Sequence, residues 1–160
     1  MIGLIIYYRT KSLLNTTQRL YLFCILKHKI NMLYEELTRK IIGCAIEVHK
    51  RLGNGFQEVI YQRALGIEMK LSNIEFTREM EMMIYYREHE IGTRRVDFFV
   101  ENKIMVELKA IIKLEDVHLA QAMNYVEAYN MEIGLLINFG ARSLEFKRVH
   151  NNKILPYSKK

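Results

Sequence analysis

The sequence has little of what marks secreted, zinc-stabilised or membrane-spanning proteins. It contains two cysteines, one proline and no tryptophan in 160 residues. Cys24 and Cys44 form no disulfide framework and no Cys/His cluster, which argues against a structural zinc site and suits a reducing cytoplasm. Neither apolar run near the N-terminus approaches the roughly 20 residues that cross a bilayer. The order of charged and apolar segments there does not fit a signal peptide.

Acidic residues are missing from residues 1–31, which hold five of the 24 basic residues. The other 19 basic residues nearly balance the 18 acidic ones, so the net charge of +6 is weak evidence for nucleic-acid binding by the rest of the chain. We interpret residues 1–31 as a basic extension. It is either an amphipathic segment that contacts a membrane or partner, or a stretch upstream of a true start at Met32. Residues 32–154 are predicted to form one domain, followed by a flexible tail at 155–160.

Hydrophobic periodicity predicts an α/β domain with a central mixed sheet flanked by helices. The predicted helices cover residues 38–52, 57–71 and 116–129, and Thr38 is expected to cap the first. The predicted strands cover residues 79–86, 94–100, 103–109, 133–139 and 144–149, with turns at 88–92 and 101–102.

Charged side chains interrupt two of the apolar strands. Glu107 and Lys109 lie on one face of the strand Ile104–Ala110, and Asp97 lies in Arg95–Phe99. Burying any of these charges alone would be costly. The turn at 101–102 should make Asp97 and Glu107 near cross-strand neighbours, and close carboxylates repel each other unless a cation lies between them. Hard oxygen ligands suit Mg²⁺, which could activate a water against a phosphodiester, with Lys109 beside it.

A simpler alternative is that these residues lie at the surface and that Glu107 only pairs with Lys109, because Glu-x-Lys is a common chance string. The upstream strand aspartate, the apolar strands and the following helix favour the metal site.

The sequence resembles the PD-(D/E)xK nuclease superfamily at Asp97 and Glu107-Leu108-Lys109. The segment Gly55-Phe56-Gln57-Glu58-Val59-Ile60-Tyr61 is similar to the motif that names the small GxxExxY family within it. The resemblance extends from Ile41-Ile42-Gly43 to Asn138-Phe139-Gly140. It implies a restriction-endonuclease-like α-β-β-β-α-β core, metal ligands at Asp97 and Glu107, and a catalytic Lys109.

Further residues are assigned by the same resemblance. Glu58 would be the helix-borne acid, with metal ligation as its role, and favourable placement at a helix start as the alternative. Gln121 and Tyr125 resemble the Gln-x-x-x-Tyr motif of RecB-like nucleases and share a helical face. Tyr125 is also a candidate substrate contact. Apart from the resemblance, the positions of His118, Arg94 and Arg95 make them candidate contacts to a phosphate or the nucleic-acid backbone, with a structural histidine and a solvated strand end as the alternatives.

The sequence thus predicts a cytoplasmic nuclease that uses Mg²⁺ or Mn²⁺ on nucleic acid, DNA ahead of RNA. The alternative is a module that binds nucleic acid or protein without cleaving. The core domain is not expected to contact a membrane, and the oligomeric state stays open, a homodimer included.

Overall fold

The computed structural model describes residues 15–151 and 153, which form three helices and five strands. In chain order these are α1 (Thr16–Leu52), α2 (Glu58–Leu71), β1 (Phe76–Tyr86), β2 (His89–Val100), β3 (Ile104–Lys109), α3 (Asp116–Ala128), β4 (Ile133–Asn138) and β5 (Glu145–His150). The predicted tail at 155–160 and the first 14 residues of the predicted extension lie outside the described residues.

The chain divides into two compact units, residues 1–35 and residues 36–160. In the first unit the structure describes the opening turns of α1, where Leu20, Tyr21 and Ile25 are exposed. The second unit contains the sheet, the other helices and the end of α1. The domain boundary at residue 31 stays a prediction.

Helix α1 begins 22 residues before its predicted start, so the prediction that Thr38 caps it is wrong. Thr38 is fully buried within the helix. Ile41, Ala45 and Val48 follow it on the buried face at helical spacing. The apolar pattern identifies this face, but it does not reveal a helix that continues upstream.

A single mixed sheet in the order β1-β2-β3-β4-β5 confirms the predicted α/β fold class. Strands β3 and β4 are parallel, and every other neighbouring pair is antiparallel. All six residues of β4 are buried, as expected for an apolar strand covered on both faces.

The β1–β2 hairpin turns earlier than predicted. A hairpin turn is confirmed here, but it covers residues 87–88 and not the predicted 88–92, because β1 ends at Tyr86 and β2 starts at His89. The left-handed backbone of Arg87 (φ 55°) makes the tight turn, and a register shift between Ile84 and Tyr85 lies just before it. Gly92, which suggested the turn, lies within β2 with φ of 156°.

No helix among the described residues is long and apolar enough to cross a membrane.

Candidate active site

The site lies where β2 and β3 separate. Their ladder runs from Val100–Ile104 to Phe98–Val106 and stops there. The next pair in this register would be Asp97 and Glu107. Instead of a backbone carbonyl, the Asp97 carboxylate accepts the Leu108 amide hydrogen, with Oδ2 2.8 Å from the nitrogen. A side chain therefore takes the place of a ladder hydrogen bond at the point where the strands part.

The pairing of β2 with its other neighbour, β1, is also irregular at Asp97. Arg78 pairs with Phe98 and Met80 pairs with Val96, but Glu79 between them has φ of 54° and is not paired with Asp97. A positive φ is unusual for a non-glycine residue in a strand. The local distortion of both ladders frees the Asp97 side chain from the regular pleat.

A buried glutamine from α2 holds the second oxygen of Asp97. Gln62 Nε2 donates to Asp97 Oδ1 over 2.8 Å, and Gln62 itself is 6% exposed. The pKa of Asp97 is raised above its ordinary value, mainly by burial of the carboxyl group. The negative charge of Glu107 raises it further, and the hydrogen bond from the Leu108 amide opposes the rise. Sequence reasoning missed Gln62. The available signal was its position four residues after Glu58, on the same helical face.

Glu107 is a buried carboxylate with two cations on one oxygen. Lys109 Nζ lies 3.0 Å and Arg94 Nη2 lies 3.1 Å from Glu107 Oε1. Burial of a carboxylate requires such partners. The structure thus brings Asp97, Glu107 and Lys109 together. The role of Arg94 as a partner of Glu107 was not predicted.

Glu58 joins this cluster from the first residue of α2. The pKa of Glu58 is raised above its ordinary value, mainly by burial. The Lys109 ammonium lowers it, and the carboxylates of Asp97 and Glu107 raise it. These interactions put Glu58 within electrostatic reach of all three residues. One helix and two strands therefore contribute acids that lie within electrostatic reach of one another.

Tyr61 fixes the loop that leads into Glu58. Its ring is fully buried and stacks on Phe139, with centroids 4.7 Å apart. Its hydroxyl donates to the Gly53 carbonyl (2.9 Å) and accepts from the Phe56 amide (3.1 Å). The glycine and tyrosine of the Gly55–Tyr61 motif are thus explained physically, because one makes the loop (Gly55 φ 105°) and the other anchors it to the core.

We expect Tyr61→Phe to lower the free energy of unfolding by about 1–3 kcal/mol, since the loop loses two partly buried hydrogen bonds, to the Gly53 carbonyl and from the Phe56 amide. Denaturant unfolding measures the change. Tyr129→Phe is the matched control, because its hydroxyl makes a single bond, to the Met82 carbonyl, and the residue is only partly buried. Equal losses in the two variants would contradict the anchoring role.

Helix α3 reaches the site through Arg94. Gln121 Nε2 donates to the Tyr125 hydroxyl over 2.7 Å, and the Arg94 guanidinium lies 4.8 Å from the Tyr125 ring centroid. Gln121 is therefore connected to Glu107 through two intermediates rather than by a direct contact.

The two remaining candidates occupy different surroundings. His118 Nδ1 accepts the Glu115 amide hydrogen (3.0 Å) at the start of α3, so this nitrogen is used in capping the helix. Arg95 is exposed on β2 and lies opposite Glu81 in the sheet register.

Comparison with known proteins identifies the superfamily to which the chain belongs. The sequence profile of the PD-(D/E)XK nuclease superfamily matches residues 35–149, well over half of the chain. The chain belongs to the PD-(D/E)XK nuclease superfamily. No curated protein matches the chain significantly. Among solved structures, the crystal structure of SSO0001 matches with 16% identity and a TM-score of 0.49 over 79% of this chain. The chain spans 66% of that protein, just under two thirds of its length.

Divalent metals are generally used by PD-(D/E)XK nucleases, so we tested whether this donor set fits one. Each Asp97 oxygen accepts one hydrogen bond, and both cations contact Oε1 of Glu107. Three of the four carboxylate oxygens, both of Asp97 and Oε2 of Glu107, therefore keep acceptor capacity for a metal. Within residues 15–151, no three acidic, histidine or cysteine side chains already converge as a closed metal site. Mg²⁺ does not require one, since it is usually held by one or two carboxylates plus waters and substrate oxygens. The donor chemistry fits.

Proposed function

We propose that the chain is a Mg²⁺- or Mn²⁺-dependent nuclease that hydrolyses phosphodiester bonds, with DNA as the first substrate to test and RNA as the second. We also propose the finer placement in the small GxxExxY group with a RecB-like helix, and a cytoplasmic location. The observation that carries the nuclease proposal is the juxtaposition of Asp97, Glu107 and the Lys109 ammonium on two separating strands of a PD-(D/E)XK domain.

In this proposal Asp97 and Glu107 hold the metal, and Glu58 supplies a further oxygen. A divalent ion at this position would lower the pKa of a bound water and offset negative charge on the phosphate. Gln62 and the Leu108 amide orient the Asp97 carboxylate, with one hydrogen bond to each oxygen. Fixed orientation matters because it is set before the substrate arrives.

Lys109 is proposed to act on the reacting groups. Its ammonium is held 3.0 Å from Glu107, and its side chain is only 14% exposed. A largely enclosed ammonium can donate a hydrogen bond to the attacking water or to a phosphate oxygen. Such a donor is more effective in a site with little water than in bulk solvent.

The test is cleavage of single- and double-stranded DNA and RNA with Mg²⁺ or Mn²⁺, with the substitution Lys109→Met as control. Methionine keeps the length of the stem and removes the charge, while Arg94 remains on Glu107. We expect the rate to fall roughly 10²–10³-fold, the usual loss for one stabilising donor.

Cleavage that survives unchanged in Lys109→Met would point to a contaminating nuclease. If the wild-type chain cleaves nothing yet binds nucleic acid, the non-cleaving module is the better description. Calorimetric titration with Mn²⁺, compared with Asp97→Ala, separates these outcomes from a simple failure to find the substrate.

A further inference from the structure

Arg94 contains an unusual orphan group. Its Nε is the one buried side-chain nitrogen or oxygen without a hydrogen-bond partner in the part of the chain that the structure describes. The same guanidinium contacts Glu107 Oε1 through Nη2 and lies over the Tyr125 ring. The guanidinium thus pairs with Glu107 through Nη2 and stacks on Tyr125 with one face, while its Nε–H has no acceptor. Leaving a buried donor unpaired is costly, so the arrangement calls for an explanation.

The stacking on Tyr125 orients the guanidinium plane. Tyr125 is itself held by the 2.7 Å bond from Gln121. A guanidinium with a fixed plane and free donor edges is suited to the two-point recognition of a phosphate, which has oxygens at matching spacing. The Gln121–Tyr125 pair therefore has a definite effect here, which is to position Arg94.

Arg94 and Lys109 differ in how firmly they are tied to Glu107. Lys109 is two residues from Glu107 on the same strand, and its side chain is 14% exposed. Arg94 lies on the part of β2 that is no longer paired with β3, and its side chain is 37% exposed. A divalent ion on Glu107 would repel both cations, and Arg94, the more exposed of the two, is the one whose guanidinium can shift away from Glu107 while it stays stacked on Tyr125.

We propose that Arg94 is a phosphate-binding residue that rests on Glu107 in the metal-free protein and transfers to the substrate when Glu107 ligates a metal. The ligand is a phosphate oxygen of the bound nucleic-acid strand. This proposal rests on the nuclease function proposed above and assigns that site its phosphate contact. The exchange keeps Glu107 neutralised in both states and provides the missing partner for the guanidinium.

The first measurement is calorimetric titration of Mn²⁺ into the full-length, metal-free chain. Arg94→Met should bind Mn²⁺ about three- to tenfold more tightly than wild type, because the competing cation is gone. Methionine keeps an apolar stem against Tyr125. Arg95→Met is the matched control, since it removes the same charge one residue away without a contact to Glu107, and its affinity should stay within about twofold of wild type.

The second measurement is binding of a fluorescent 12-nucleotide DNA strand in saturating Mn²⁺, in a Lys109→Met background that suppresses cleavage. Adding Arg94→Met should weaken binding about tenfold, the loss expected for one charge-assisted contact. Arg94→Lys should keep near-wild-type Mn²⁺ affinity, because the charge still competes, yet still bind the DNA weakly, because the planar fork is lost.

A purely structural Arg94 would not give tighter metal binding together with weaker DNA binding. Equal Mn²⁺ affinities for wild type and Arg94→Met, or equal gains in Arg94→Met and Arg95→Met, would overturn the proposal and leave the nuclease function standing. Failure of the wild-type chain to bind Mn²⁺ would instead remove the nuclease proposal, and this one with it.

Discussion

Asp97→Asn is expected to abolish metal-dependent cleavage and at the same time to make the metal-free protein more stable near pH 8. The carboxylate is partly buried near Glu107, and its removal from water is the main reason that its pKa is raised. Asparagine can keep both hydrogen bonds, to the Leu108 amide and, after rotation of the Gln62 amide, to Gln62. It removes only the charge, so function and stability should change in opposite directions.

The pH dependence of this gain has a definite sign. A carboxyl group with a raised pKa in the folded state binds its proton more tightly there than in the unfolded chain. Its penalty on folding is therefore fully present above the folded pKa. The penalty falls as the pH drops through the folded pKa, and it is absent below the unfolded value. The stability difference between Asp97→Asn and wild type should shrink in the same way.

Urea unfolding of metal-free protein from pH 8 down to pH 4 measures this difference. Asp116→Asn is the control, because Asp116 is the chain's other aspartate and lies in the first turn of α3, outside the site. There the substitution should cost a few tenths of a kcal/mol or leave stability unchanged. A loss of stability in Asp97→Asn at pH 8 would contradict the electrostatic account.

Gly140→Ala is expected to destabilise the protein by about 3 kcal/mol and to reduce cleavage with it. A Cβ at Gly140 would lie 2.4 Å from the Ile111 nitrogen and 2.5 Å from the Ala110 carbonyl carbon. These are backbone atoms just beyond Lys109, so they cannot rotate out of the way as a side chain would. The displaced segment also carries the 2.8 Å bond from the Phe139 amide to the Lys109 carbonyl.

The same substitution at Gly43 gives the contrasting result. Gly43 is exposed on α1, and a Cβ there would meet nothing within 4 Å. Gly43→Ala should stabilise the protein by about 0.5–1 kcal/mol, because alanine favours the helix. Thermal and urea unfolding of both variants provide the comparison. A Gly140→Ala protein as stable as wild type would mean that the Lys109 end of β3 yields more easily than its hydrogen bonds indicate.

Local patterns were sufficient for the elements around the site. The predicted third strand started one residue early and ended at Lys109 as observed, because a short apolar stretch between a turn and a polar segment has few alternatives. The tight turn before it sets a register in which Asp97 and Glu107 would be the next pair, as predicted, but the observed ladder ends one pair earlier, at Phe98 and Val106. The upstream part of α1 was missed although its start carries a capping box, in which the Asn15 amide donates to Gln18 Oε1 (3.1 Å) and the Gln18 amide donates to Asn15 Oδ1 (2.9 Å). The start of β1 at Phe76 was placed three residues late, at residue 79.

Sequence spacing puts Gln62 on the helical face of Glu58, but it does not say which strand residue either acid's partner contacts. Gln62 meets Asp97 from 35 residues away, and Arg94 meets Glu107 across two separating strands. Alternation along β2 gives the face of a side chain only while the pleat is regular, and the pleat is distorted at Asp97. Contacts that depend on such a distortion follow from the packing of the whole domain.

The bond between Asp97 and the Leu108 amide also bears on how the chain finds its strand alignment. A slip of β2 by one residue would leave the Leu108 N–H without an acceptor and turn Val96 and Phe98 away from the interior. The carboxylate proposed to serve chemistry therefore also selects one pairing of the central strands against its neighbours during folding. Because an amide oxygen can make the same bond, this alignment role depends on the shape of residue 97 and not on its charge.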